Sequence, residues 1–339
     1  MKLLQTLVYL LFVSVSGGHT IGGVRRWKRI ESCMDIKGPL GLLLSKKSAA
    51  RQQERDMATA HLLQRASAFL SSNPSPLRSR SPLLYLRPKP PRSAMATDSS
   101  AAPFQKIQIQ REDTTFDAHV VGKENAPGIV VLQEWWGVDY EIKNHAIHIS
   151  QLGGGYRALI PDLYRGKVAL DVAEAQHLME GLDWQGAVKD IQASVKWLKS
   201  TGSPKVGVTG YCMGGALSIA SGVIVPEVDA VVAFYGTPSS ELADPSKAKA
   251  PIQAHFGEHD NFVGFSDVTA AKSLEEKLKS SGVPYEVHMY PGCSHAFMNT
   301  SPEALKRKKG MGLTDENQEC VDLAWSRFSA WMGRFLGSA

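Results

Sequence analysis

The stretch Lys205-Val206-Gly207-Val208-Thr209-Gly210-Tyr211-Cys212-Met213-Gly214-Gly215-Ala216 passes from a short β-branched run into a segment of small residues, continued by Ser218, Ala220 and Ser221. Its first part, Lys205 to Thr209, reads as a buried strand, and Met213 to Val223 reads as a helix. Only Gly210, Tyr211 and Cys212 are left to turn the chain between them. Such a turn lifts one side chain above the sheet edge on strained backbone. The residues two before and two after it crowd each other and must lack side chains, a demand that Gly210 and Gly214 meet. Glycine at both flanks of a given cysteine arises by chance with a probability of about 0.5%, from average glycine usage. At the apex, Cys212 meets the positive end of a helix dipole, which favours thiolate over thiol. An unperturbed thiol near pKa 8.5 is only about 3% ionised at pH 7, so a partner base is expected.

Working outward, short apolar runs alternate with helical patterns from Phe104 onward, the signature of an α/β domain with a largely parallel sheet. Lys106 to Gln110 and Phe116 to Val121 read as an opening antiparallel pair. Gly128 to Gln133, Tyr156 to Pro161, Ala230 to Tyr235, Pro251 to Phe256 and Pro284 to Tyr290 complete the strands. Helices are expected over Glu141 to Leu152, Asp171 to Glu180, Gly186 to Ser200, Met213 to Val223, Ser266 to Ser280 and Thr314 to Phe335. The last presents an apolar face of Cys320, Leu323, Ala324, Phe328, Trp331 and Phe335. The fold class is therefore α/β, one doubly wound and mostly parallel sheet of roughly eight strands flanked by helices, occupying residues 98–339.

Two further groups lie just beyond predicted strands, where loops project side chains over the same edge as Cys212. His295, in Gly292-Cys293-Ser294-His295-Ala296-Phe297, is the base candidate; its position after the last strand separates it from His255, His259 and His288, which read as core or surface residues. Asp260, in Phe256-Gly257-Glu258-His259-Asp260, is the carboxylate that would hold the imidazole in one tautomer, with Glu258 as its rival. The chain order nucleophile, acid, base is that of α/β-hydrolases.

Taken together, Val130-Val131-Leu132-Gln133-Glu134-Trp135-Trp136-Gly137, Pro161-Asp162-Leu163-Tyr164, Gly210 to Gly215, Phe234-Tyr235-Gly236 and Gly292 to Phe297 resemble the dienelactone hydrolase family. The likeness runs from about Lys106 to the C-terminus. It implies an α/β-hydrolase core with a Cys212, Asp260, His295 triad, and a Glu134 that interacts with the resting thiol and accepts its proton when substrate arrives. It also implies an oxyanion hole from the backbone N–H groups of Met213 and Trp135. Trp136, Tyr164, Tyr211 and Arg165 are the weaker pocket candidates. Family members that cleave dienelactone clamp its carboxylate with two arginines. Here one of those positions is Asn299, and the Asp171 to Glu180 helix holds no arginine, leaving Arg165 or Lys167 as substitutes.

The expectation is a cysteine-dependent hydrolase of a small ester or lactone, needing no metal or organic cofactor. An α/β-hydrolase shell used as a small-molecule receptor is the alternative, and a thiol sensor pairing Cys212 with Cys293 is a third. The expected partner is a small-molecule substrate, with no nucleic acid and no membrane, and the chain is expected to act as a monomer.

The 339 residues, 43% hydrophobic and 21% charged, exclude collagen-like, coiled-coil and wholly disordered classes. Cys33, Cys212, Cys293 and Cys320 form neither metal-type pairs nor a disulfide scaffold, and a reducing compartment is the simpler reading. The formal net charge of +5 is unevenly placed: residues 1–97 hold 16 basic and 4 acidic residues, the remainder 22 and 29. The body is acidic and lacks a basic footprint for nucleic acid. Residues 1–97 read as a disordered leader. Its segment 57–97 contains no Asp or Glu but has many Arg, Ser and Pro residues, the composition of a transit peptide, and points to the chloroplast. A start near Met95 would instead leave a cytoplasmic protein. The apolar run Leu7 to Val15, resembling a secretory leader, competes with both.

Overall fold

A computed structural model describes residues 103–313 and 317–337. The leader 1–97 lies outside the described residues, as does the expected helix start at 314. The strands Gly128–Leu132 (β3), Arg157–Pro161 (β4), Val206–Tyr211 (β5), Ala230–Phe234 (β6) and Ile252–Gly257 (β7) are buried at every position. Both faces of a parallel sheet are covered, so such strands read as unbroken apolar runs. Gln105–Gln110 (β1) and Thr115–Val121 (β2) form the antiparallel opening pair, and Tyr285–Tyr290 (β8) closes the far edge. The sheet order is β1-β2-β4-β3-β5-β6-β7-β8, antiparallel up to the β2–β4 pairing and parallel beyond it.

Helices cover both faces. Tyr140–Gln151 (α1) and Gln318–Leu336 (α7) pack on one side through Ile142, Ile149, Phe328 and Trp331. Trp184–Ser200 (α3), Met213–Ile224 (α4) and Val268–Ser281 (α5) pack on the other through Ile191, Leu217 and Leu274. Local chemistry fixes where several of these begin. Asp139 accepts from the Ile142 N–H at the start of α1, Asp171 caps Val172–Glu180 (α2) at Glu174, and Asp267 caps α5 at Thr269 and Ala270.

Two expectations need correcting. Helix α7 buries Val321, Ala324, Phe328, Trp331, Met332 and Leu336, while Leu323 is 45% exposed, because the stripe facing the sheet runs one position away from it. A seventh helix, Pro302–Gly310 (α6), was not expected. It buries only Ala304 and Lys308, so it has no apolar period to read; its start signal is Ser301, whose hydroxyl accepts from Ala304 N–H, followed by Pro302 in the first turn.

Candidate active site

The turn after β5 has the strain that its sequence demands. Cys212 has φ 54° and ψ −116°, sits at the N-cap of α4 and makes no side-chain cap hydrogen bond, so its sulfur is not tied to the helix end. A Cβ on Gly210 would lie 2.3 Å from the Gly214 carbonyl oxygen, and one on Gly236 2.2 Å from the Cys212 carbonyl oxygen. Gly214 is constrained differently from the expectation: its Cβ would meet the Leu132 and Gln133 carbonyl oxygens at 2.6 Å, so it permits α4 to start against the end of β3. That contact brings the Met213 backbone beside the segment carrying Glu134 and Trp135. Among the described residues, five non-glycine residues have positive φ, and three of them, Cys212, Tyr235 and Ala296, belong to this site.

The candidate base His295 and its candidate carboxylate Asp260 lie side by side. His295 Nδ1 lies 2.7 Å from Asp260 Oδ2 and 3.1 Å from Ser266 Oγ. With Asp260 ionised, Nδ1 carries a proton and donates it, which leaves Nε2 for the sulfur. Asp260 also accepts from the Phe262 N–H, while its rival Glu258 is exposed. The imidazole is boxed by the Phe262 ring, edge-on at 4.4 Å, and by Tyr235 at 5.0 Å. Burial alone would push His295 down. The charges of Asp260 and Cys212, with hydrogen bonds to both, outweigh it and push His295 up to about 10.

Glu134 is buried 8% exposed beside this pair. Tyr235 donates its hydroxyl to Oε1 at 3.2 Å and Asn299 donates its amide to Oε2 at 2.9 Å. Burial pushes the carboxyl up to about 7, against the Asn299 hydrogen bond and the His295 charge, which both pull it down. The resemblance implied contact with the resting thiol; in this structure the Glu134 oxygens are held by Tyr235 and Asn299, and the thiol pairs with His295. Neither Tyr235 nor Asn299 was assigned a role from sequence. Tyr235 was recoverable, since Phe234-Tyr235-Gly236 stands at the carboxyl end of β6 on the same edge.

A cavity of about 240 Å³ opens over Cys212, His295 and Glu134. Trp135, Trp136, Leu182, Trp184, Phe262 and Phe265 form much of its wall. Three expected pocket residues lie elsewhere. The Tyr211 ring is fully buried between His145 and Phe234, at centroid distances of 4.3 and 4.8 Å. Tyr164 is buried with its hydroxyl 3.4 Å from Met213 Sδ, behind the elbow. Arg165 is turned away to Asp190, Nη2 to Oδ2 2.7 Å, and to the Asp162 carbonyl; it lines a separate depression with Lys167. His255, read as a core or surface residue, lies in the core, its ring nitrogens 2.7 and 2.9 Å from Tyr290 and Gln253. Among the described residues, Cys212, Cys293 and Cys320 form no disulfide.

The profile of the dienelactone hydrolase family matches residues 116–336, a span holding every group described above. The chain belongs to the dienelactone hydrolase family. It is similar to Protein usf of Aquifex pyrophilus, 35% identical over 210 residues that cover 59% of this chain and 89% of that protein. It is also similar to the carboxymethylenebutenolidase of Pseudomonas putida, 29% identical over 209 residues covering 55% and 84%. In three dimensions it resembles the dienelactone hydrolase-like promiscuous phosphotriesterase P91 from metagenomic libraries, with a TM-score of 0.60 at 19% identity over 68% of this chain and 98% of that one. This family member is a hydrolase of ester bonds built on the α/β-hydrolase fold.

Proposed function

We propose that the protein is a cysteine-dependent hydrolase that cleaves a small ester or lactone through an acyl-enzyme. The observation that carries this reading is His295, hydrogen-bonded to Asp260 at 2.7 Å and also to Cys212, which sits on a positive-φ strand-to-helix turn. In the first half-reaction the Cys212 sulfur attacks the acyl carbon and His295 gives a proton to the leaving alkoxide oxygen. The tetrahedral oxyanion forms against the N–H groups of Met213 and Trp135, donors of a kind worth about 3 kcal/mol each to the barrier. In the second half, His295 takes a proton from water, the resulting oxygen attacks the thioester, and the carboxylic acid leaves as Cys212 is restored. Asp260 keeps the imidazole in register throughout. Glu134, whose carboxyl is pushed up to about 7, exchanges a proton near neutrality and sets the charge beside the Cys212–His295 pair.

The test is pre-steady-state hydrolysis of an activated aryl ester. Wild type is expected to release about one equivalent of phenol in a burst, with an acyl adduct on Cys212 by mass spectrometry. Cys212→Ala is expected to lose the burst and at least about a thousandfold in kcat/KM. Saturable binding without release, or a Cys212→Ala protein as fast as wild type, overturns the proposal.

A further inference from the structure

The cavity over Cys212 is apolar in its walls and acidic in its charge. Among the described residues six carboxylates line it, Glu134, Asp139, Glu141, Glu180, Asp183 and Glu241, against Arg307, Lys308 and the His295 imidazolium. The cavity is therefore net negative even with Glu134 protonated. Arg307 is already committed: it pairs with Asp139, and its guanidinium lies 4.4 Å over the Trp136 ring. Lys308 is 3% exposed. Two polar donors of the cavity wall also point into the protein. The Asn299 amide is given to Glu134, and the Thr237 hydroxyl donates to the Phe265 carbonyl at 2.7 Å. A substrate carboxylate entering here would give up its water against Trp135, Leu182, Trp184 and Phe265, with no open guanidinium fork among the described residues of the wall to receive it, and inside a repulsive field.

We propose that the substrate of this site is an apolar ester or lactone without a carboxylate, recognised by its hydrocarbon or aromatic surface. The proposal rests on the hydrolase reading of Cys212 and adds the class of molecule. Glu180 and Asp183, at the end of α2 and the start of α3, and Glu241 across the cavity, set the sign of the field at its mouth. The aromatic walls supply the affinity.

A matched pair of esters tests it on the full chain: 4-nitrophenyl heptanoate, and the 4-nitrophenyl monoester of adipic acid, which bears a carboxylate near the end of an acyl chain of similar length. Expected is a kcat/KM for the uncharged ester at least about tenfold above that of the carboxylated one. The ratio should narrow as salt rises from about 0.05 M to about 0.5 M, because screening acts on the repulsion and not on apolar burial. Glu180→Gln should narrow it too. Equal or faster cleavage of the carboxylated ester overturns the proposal. Cleavage of neither ester counts against the hydrolase reading instead. The substrate class is then decided by tryptophan-fluorescence titration with methyl benzoate and benzoate: tighter methyl benzoate supports it, and tighter benzoate sinks it.

Discussion

Asn299 shows how one side chain sets the behaviour of another. Its amide donates to Glu134 Oε2 and its carbonyl oxygen stands 3.5 Å from the Tyr235 hydroxyl, so three residues from distant parts of the chain share one buried network. Burial raises the Glu134 carboxyl to about 7, and the Asn299 hydrogen bond restrains that rise. Asn299→Leu removes the restraint while keeping similar bulk. Expected is a further upward movement of the Glu134 titration, read as an upward shift of the acid limb in the pH profile of kcat/KM or by carboxyl NMR. Asn299→Asp should raise it as well, by placing a second carboxylate there. Profiles superimposable on wild type would remove Asn299 as the positioning residue. That Cys212, Asp260 and His295 lie together was legible in the sequence because each comes shortly after a parallel strand, and the carboxyl ends of those strands share one sheet edge. Asn299 was legible only as a departure from the family pattern. Its partner Glu134 is 165 positions away, and no local periodicity carries such a contact.

Among the elements, the β5–α4 junction is one where packing leaves little freedom. A methyl group on Gly210 meets backbone oxygen at 2.3 Å and the Leu132 Cβ at 2.8 Å, and neither yields without moving the elbow itself. Gly210→Ala is expected to cost about 1–3 kcal/mol, lowering Tm by roughly 3–10 °C, with a larger proportional loss of activity because Cys212 moves. Gly333 is the contrasting case. It lies within α7, has no positive φ, and a Cβ there meets nothing within 4 Å. Gly333→Ala should raise stability by about 0.4–1 kcal/mol and leave kcat unchanged. Thermal melts of the two variants check both signs, and a stable Gly210→Ala protein would show that the turn is looser than its contacts imply. At this scale the strands were read well because continuous burial writes itself into composition, as in the Gly128–Leu132 run. Helix α6 was not, since a charged helix that buries two side chains has no stripe to detect. Arg165 was placed in the pocket by its position after β4, but chain position does not fix direction, and its guanidinium follows Asp190 instead.

For the whole molecule, the two shifted groups at the site give stability a defined dependence on pH. His295 in the folded protein titrates near 10, above its ordinary 6.5. The stability that it contributes is fully present below about pH 6.5 and is lost as pH rises through 10, because the unfolded chain has already released that proton. Glu134 acts in the same direction over a lower window. Its folded carboxyl holds a proton up to about 7 where the unfolded one has lost it above about 4.5, so folding is disfavoured progressively between those values. Carboxylates held below their usual range by hydrogen bonds, among them Asp117 with Lys106 and Asp244 with Ser246, work the opposite way and lose their contribution as pH falls. His255, His145, His119, His148 and His288, held down by burial, likewise lose their contribution as pH falls, so a net decline measured by urea unfolding is expected as pH rises from about 7 towards 10. Asp260→Asn removes the leading cause of the His295 rise and leaves burial to push the imidazole down. The decline between about pH 6.5 and 10 should flatten in that variant, while the Glu134 contribution between about 4.5 and 7 persists and is removed only by Glu134→Gln. Two variants that each abolish one window and spare the other would place both protons. Parallel curves for Asp260→Asn and wild type above pH 7 would mean that His295 is not held charged by its carboxylate in the folded state.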